Sequence, residues 1–288
     1  MSRPERDPVT GQITTGHDWN GITELNSPVP KVVFASLILG AIYLVVSTIL
    51  LPAWPGITGY TRGLLGIDQR DTVNRDVAEA RMERSVWTEA IDSRSFDAIL
   101  EDPALMEIVR SAGGTLFVDN CAACHGRTGA GNTGYPNIAE APMLWGDDID
   151  TVHETIRVGI NSSHPETRFG QMLAFGRDGM LMREDINAVT AYVLSLSDPA
   201  GAPVDPAGEE VFAFNCASCH GDDARGVTDF GAPDLTDPFW TYGGTRAQVR
   251  ASIYGGRMGH MPHWEDRLST TDMRILALYV HDLRAQAR

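Results

Sequence analysis

The sequence predicts a mainly α-helical protein, with one membrane-crossing helix near the N-terminus followed by two tandem copies of a small domain. Three observations carry that expectation. Residues 32–54, VVFASLILGAIYLVVSTILLPAW, hold no charged side chain. The stretch GGTLFVDNCAACHG (113–126) returns as GEEVFAFNCASCHG (208–221). Elsewhere apolar residues recur at helical spacing, with little of the alternation a strand shows.

The apolar run, as a helix, is about 35 Å long, enough for a hydrocarbon core of about 30 Å. A core helix is rarely apolar on every face for so long. A cleaved secretory signal would start nearer Met1 and close on small residues, whereas this run closes on Pro52, Trp54 and Pro55. It is therefore read as an anchor behind a segment 1–31, with Trp54 at the interface. Arg3, Arg6 and Lys31 precede it and Arg62, Arg70 and Arg75 follow, so basic residues barely orient it. Residues 55–107 read as a bridge. PGITGYTRGLLG is a Gly-rich turn region, and 71–101 carries Val73, Val77, Ala80, Val86, Trp87 and Ile91 at the spacing of one or two amphipathic helices, before Pro103 interrupts.

The copies span 108–198 and 208–288, joined by a Pro/Gly-rich linker at 199–207. Their period is about 95 residues, and the landmarks keep one order. Pro136 parallels Pro233, Trp145 parallels Trp240, TVHETIRVG parallels AQVRASIYGG, and NAVTAYVLSL parallels MRILALYVHDL. Phe117 with Tyr192, and Phe212 with Tyr279, are expected to mark the packing of first and last helices within each copy. The copies differ in one place. Gly159 lies 13 residues before Met172 but Gly256 only 5 before Met261, so the first copy carries an extra loop with His164 and Arg168. The net charge of −15 makes nucleic acid an improbable partner and suits a basic protein, and it is spread over both copies.

All four cysteines fall in Cys121-Ala-Ala-Cys124-His125 and Cys216-Ala-Ser-Cys219-His220. Two thiols on one helical turn can reach both vinyl groups of a porphyrin, and the following histidine can take an axial iron position. Each motif therefore predicts a covalent haem c, two in all. Zinc ribbons space their Cys pairs far more closely and need no histidine after each. A thioredoxin-like pair needs a βαβ setting, and disulfides leave the histidines unexplained. The remaining axial ligand is expected downstream, where a soft methionine sulfur favours Fe(II) and raises the potential. GGRMGHMPHW offers Met261 before Pro262, with Met258, His260 and His263 as alternatives. RFGQMLAFG offers Met172, with His164, Met180 and Met182 as alternatives. Pro136 and Pro233 follow the two motifs by similar distances, either as plain loop prolines or, in likeness to cytochromes c, as carbonyl partners of the axial histidine's other nitrogen. Arg168 is a partner for a haem propionate or a solvated surface arginine.

Both copies resemble class I cytochrome c on these landmarks. Over nearly the whole chain, the order anchor, bridge, cytochrome, cytochrome resembles the FixP/CcoP subunit of cbb-type haem–copper cytochrome c oxidases. HDWNGITELNSPVPK (17–31) and RFGQMLAFG are the most specific parts. That family usually has proline after the first-copy methionine, where this chain has Leu173. The resemblance implies a subunit without catalytic residues of its own, passing electrons from a donor cytochrome c to a mono-haem subunit and on to a proton-pumping haem–copper subunit. Because c-type haem is attached on the outer face of bacterial membranes, residues after Trp54 are expected in the periplasm and 1–31 in the cytoplasm. Two other readings compete: a free-standing membrane-anchored di-haem carrier, and a di-haem peroxidase with one iron lacking methionine.

Overall fold

The computed structural model describes residues 5–198 and 204–287. It divides into two compact units, one ending at Glu83 and one beginning at Arg84. The first opens with an antiparallel hairpin, β1 (Thr14–Trp19) and β2 (Ile22–Leu25). Sequence analysis assigned no strand here. The turn residues Asn20 (φ 54°) and Gly21 (φ 91°) both take positive φ, as a type I′ hairpin turn requires. Asp18 Oδ1 accepts the Gly21 N–H at 2.6 Å, and Trp19 Nε1 donates to Glu24 at 2.7 Å.

The apolar helix α1 runs from Lys31 to Leu50, about 30 Å, with apolar side chains exposed around its surface. It stops short of the expected Trp54 because Pro52 pushes Leu51 into extended backbone (φ −109°, ψ 162°). The chain then folds back on the helix end. Leu64 N–H donates to Ile49 O at 3.0 Å and Leu65 N–H to Leu50 O at 3.1 Å, satisfying two of its last carbonyls. Gly63 makes this possible: at φ 67°, a Cβ there would stand 2.3 Å from Leu50 O.

Helix α2 (Gln69–Ser93) contains the boundary between the units. After it come α3 (Phe96–Leu100), α4 (Pro103–Asn120), α5 (Ala122–His125), α6 (Ile149–Val158) and α7 (Arg183–Leu196). The second copy adds α8 (Pro206–Asn215), α9 (Ala217–His220), α10 (Arg246–Gly255) and α11 (Thr270–Ala287). The copies begin with the same device. Asp102 accepts from the amides of Ala104 and Leu105 and Asp205 from that of Ala207, with Pro103 and Pro206 at the first helical position. Of the linker read at 199–207, residues 199–203 lie outside those described, and 206–207 already belong to α8.

Two apolar cores form, and neither is built from one copy alone. The first joins α4 and α6 of the first copy to Trp264 and α11 of the second, with Ile91, Phe96 and Ile99 packed in from the bridge. The second joins α8 and α10 to Phe175 and α7 of the first. The expected within-copy ring pairs are therefore exchanged: Phe117 meets Tyr279, centroids 5.6 Å apart, and Phe212 meets Tyr192 at 5.3 Å. Consecutive helices with a short connection pack as neighbours, which gives α7 to α8 and leaves the face of α4 to α11. The crossings are close. A Cβ on Gly113 would lie 2.7 Å from Tyr279 Cβ, and one on Gly208 2.3 Å from Ala188 O.

Two short backbone pairings complete the exchange. Ile160 and Met261 trade N–H···O bonds of 2.9 Å in both directions, and Met172 and Arg257 do so at 2.8 and 3.1 Å. Gly159 and Gly256, at φ 70° and 68°, end α6 and α10 and let these strands approach.

In a double-mutant cycle on unfolding free energy, Phe117 and Tyr279 should couple by about 0.5–1.5 kcal/mol while Phe117 and Tyr192 show no coupling. Acid stability follows from the caps. The Leu105 amide and Arg94 hold Asp102 below the usual carboxylate range, and Thr151 does the same for Asp148. Their contribution is complete above their ordinary value of 3.8 and is lost as pH falls through the lower folded values. A pH titration followed by circular dichroism should show this loss only below about pH 4.

Candidate functional site

The two Cys-x-x-Cys-His turns are built alike. Each first cysteine ends a long helix, and its carbonyl accepts from the second cysteine and the histidine. These bonds measure 3.1 and 2.9 Å at Cys121 and 3.1 and 3.0 Å at Cys216. Cys121 and Cys124, like Cys216 and Cys219, are free thiols on one tight turn. Burial, with the neighbouring thiol, pushes Cys121 and Cys216 up to about 11.

His125 Nδ1 lies 3.1 Å from Pro136 O, and His220 Nδ1 lies 3.0 Å from Pro233 O. A carbonyl only accepts, so each Nδ1 carries the proton and each Nε2 keeps its lone pair. Burial lowers the pKa of both rings, which keeps them neutral. A neutral imidazole oriented through Nδ1 is the form that ligates iron.

A cavity of about 390 Å³ opens beside the first turn, with Phe117, Cys121, His125, Pro136, Trp145 and Met261 in its wall. It extends to Pro233 and Trp240, where Gly134 N–H bonds Thr241 O at 2.7 Å. Met261 packs on the core that holds Cys121, and Met172 on the core that holds Cys216. The structure thus brings the second-copy methionine to the first-copy motif and the first-copy methionine to the second.

The alternatives stand apart. Met258, Met180 and Met182 are 59%, 50% and 69% exposed. His260 is exposed, and His263 Nε2 lies 3.4 Å from Asp266. His164 has both ring nitrogens hydrogen-bonded. Arg168 sits with its guanidinium 5.4 Å from the Trp145 ring centroid, and its buried Nε has no hydrogen-bond partner. A buried cationic donor beside a cavity-wall tryptophan is what an anionic carboxylate of a bound group would complete. With the apolar wall, the paired thiols and the neutral imidazole, these residues fit a haem c.

Sequence reasoning missed Arg284. It is buried on α11, donates to Ile138 O at 3.0 Å and Ala141 O at 2.8 Å, and lies 3.7 Å from Asp147. It pins the loop after Pro136. Nothing in the local sequence separates it from other arginines of a C-terminal helix.

Residues 111–197 match the family described as cytochrome c, and 204–280 match cytochrome c oxidase, cbb3-type, subunit III. Residues 11–58 match the N-terminal domain of cytochrome oxidase-cbb3, FixP. The chain is 43% identical to the cbb3-type cytochrome c oxidase subunit FixP of Bradyrhizobium sp. (strain ORS 278), covering 97% of both. It is 40% identical to subunit CcoP of Cereibacter sphaeroides, covering 94% of both. The chain belongs to the FixP/CcoP family. As a FixP/CcoP subunit it is a membrane-anchored electron-transfer component of a cbb3-type oxidase, with haem c as the cofactor of its cytochrome domains.

Replacing Arg284 with alanine strands two carbonyls and should cost about 2–3 kcal/mol in urea unfolding of the full chain.

Proposed function

We propose that this FixP/CcoP subunit carries two haem c groups with exchanged methionine ligands. The first is held by Cys121 and Cys124 with His125 and Met261 as axial ligands, the second by Cys216 and Cys219 with His220 and Met172. The observation that carries this reading is the shared core: Met261 lies with Cys121, Met172 with Cys216, and the two backbone pairings fix both methionine strands. Pro136 and Pro233 orient the axial rings, and Arg168 receives a propionate of the first haem. Bound haem supplies reversible one-electron transfer, and methionine ligation keeps its potential high. The residues that would hold each haem include a histidine and a methionine for its iron, which would suit transfer and leave no open position for a substrate. This weighs against a peroxidase.

The subunit has no catalytic role of its own. It takes electrons from a donor cytochrome c and hands them to a mono-haem c subunit, which feeds the haem–copper subunit where oxygen is reduced and protons are pumped. Its haem units face the periplasm of a bacterial inner membrane, with the N-terminus in the cytoplasm. The near full-length likeness to oxidase subunits favours a complex over a free-standing carrier.

Two measurements test this. Purification in mild detergent should yield b-type haem and copper with this chain, and a pyridine haemochrome should give two haems c per chain. Isolation as a lone subunit would sink the oxidase reading. The exchange is tested where only the first haem remains, in a Cys216→Ser/Cys219→Ser background. There Met261→Leu should abolish the sulfur-to-iron(III) absorption band and lower the potential, while Met172→Leu leaves both unchanged. The opposite result would show that each methionine serves its own copy.

A further inference from the structure

The two methionine strands are not held alike. The extra residues of the first copy form a closed loop from Ile160 to Arg168. Asn161 N–H bonds Arg168 O at 2.7 Å, Arg168 N–H bonds Gly159 O at 3.1 Å, and Ser162 N–H bonds Thr167 Oγ1 at 2.9 Å. From this loop two side chains reach the strand that carries Met261. Asn161, in the left-handed region at φ 48°, donates to Gly259 O at 2.7 Å, and its amide also donates to and accepts from Gly170 at 2.8 and 3.2 Å. His164, with a side chain 9% exposed, sits 2.7 Å through Nε2 from Glu265 Oε2. The Glu166 N–H donates to His164 Nδ1 at 3.0 Å, so Nε2 carries the proton and donates. Glu265 is gripped from its other side by Arg157 at 3.2 Å, and Arg157 also pairs with Glu154 and Glu166.

Met261 is therefore paired through its own backbone and pinned by side chains on either side, at Gly259 and Glu265. The strand of Met172 differs. Arg257 pairs with Met172, and Tyr254 O accepts from Gly176 and Arg177 at 3.2 and 2.9 Å. Asn161 braces that strand too, through its two bonds to Gly170, which lies two residues before Met172 as Gly259 lies two before Met261. Among the described residues, the second copy's hydrogen bonds to that strand are all backbone to backbone, with no counterpart of the His164–Glu265 contact.

We propose that His164, presented by the loop 160–168, is a positioning residue that clamps the Met261 strand alone, and that it makes this methionine harder to displace from iron. A thioether is a weak ligand, so its occupancy is set by the equilibrium between the closed strand and one that has swung away. Each hydrogen bond of this kind biases that equilibrium about fivefold. The proposal rests on the reading that both methionines are axial ligands.

The test uses the full haem-loaded chain in detergent, with imidazole as the displacing ligand. In a Met172→Leu background the sulfur-to-iron(III) band reports Met261 alone. There, His164→Ala should tighten imidazole binding about fivefold, the equivalent of losing one such bond. His164→Gln, which keeps an N–H donor for Glu265, should remain close to the parent. In the reciprocal Met261→Leu background the same change should leave imidazole binding at the Met172-ligated haem unaltered. Unchanged affinity in the first background would overturn the proposal, as would an equal rise in both, which would mean general loosening. A Met172→Leu parent with no band would instead reject Met261 as a ligand, and the clamp with it.

Discussion

Four backbone hydrogen bonds, two between Ile160 and Met261 and two between Met172 and Arg257, set the plan of the second unit. They join the strand after α6 to that before α11, and the strand after α10 to that before α7. With those crossings made, α11 lies on α4 and α7 on α8, and the Gly113–Tyr279 and Gly208–Tyr192 contacts close the two cores. Positive φ at Gly159 and Gly256 permits the crossings, because any larger residue there would drive its Cβ into the opposite backbone. The arrangement is close to a two-fold exchange between duplicated halves, broken where the first half carries its extra loop.

Much of this was legible in the sequence, and the parts that were not have physical reasons. The duplicated motifs located both turns, and the prolines that face His125 and His220 were marked by their parallel spacing together with the resemblance to cytochrome c. The exchange was hidden by the duplication itself. Phe117 and Phe212 sit on equivalent helices, as do Tyr192 and Tyr279, so within-copy and between-copy pairings satisfy one pattern equally. Only the short connection between α7 and α8 discriminates, and it acts through chain geometry that no periodicity records. The N-terminal hairpin had a local signal in Asn20-Gly21, which carries the positive φ pair of a type I′ turn. The bridge looked like a connector because its exposed face is charged, while Ile91, Phe96 and Ile99 are buried in the first core.

The two motifs share their histidine chemistry and differ around the methionine strands. Both histidines are neutral, His125 half-buried and His220 buried, and both are oriented by a proline carbonyl at nearly equal distance. Arg168, Asn161 and His164 all come from the extra loop; His164 holds the Met261 strand alone, while Asn161 bonds Gly259 on that strand and Gly170 on the other. A single insertion thus gives two duplicated motifs different surroundings without touching the motifs themselves.

The crossed closure also bears on the order in which the chain matures. During synthesis, the second motif finds α7 already made and needs only the residues through α10 to gain its methionine strand and most of its core. The first motif, although it emerges about 95 residues earlier, waits for Met261 and then for α11, which ends at Ala287. The older half of the protein is the last to be sealed, so a ribosome that stalls near the end leaves the first motif open and the second closed.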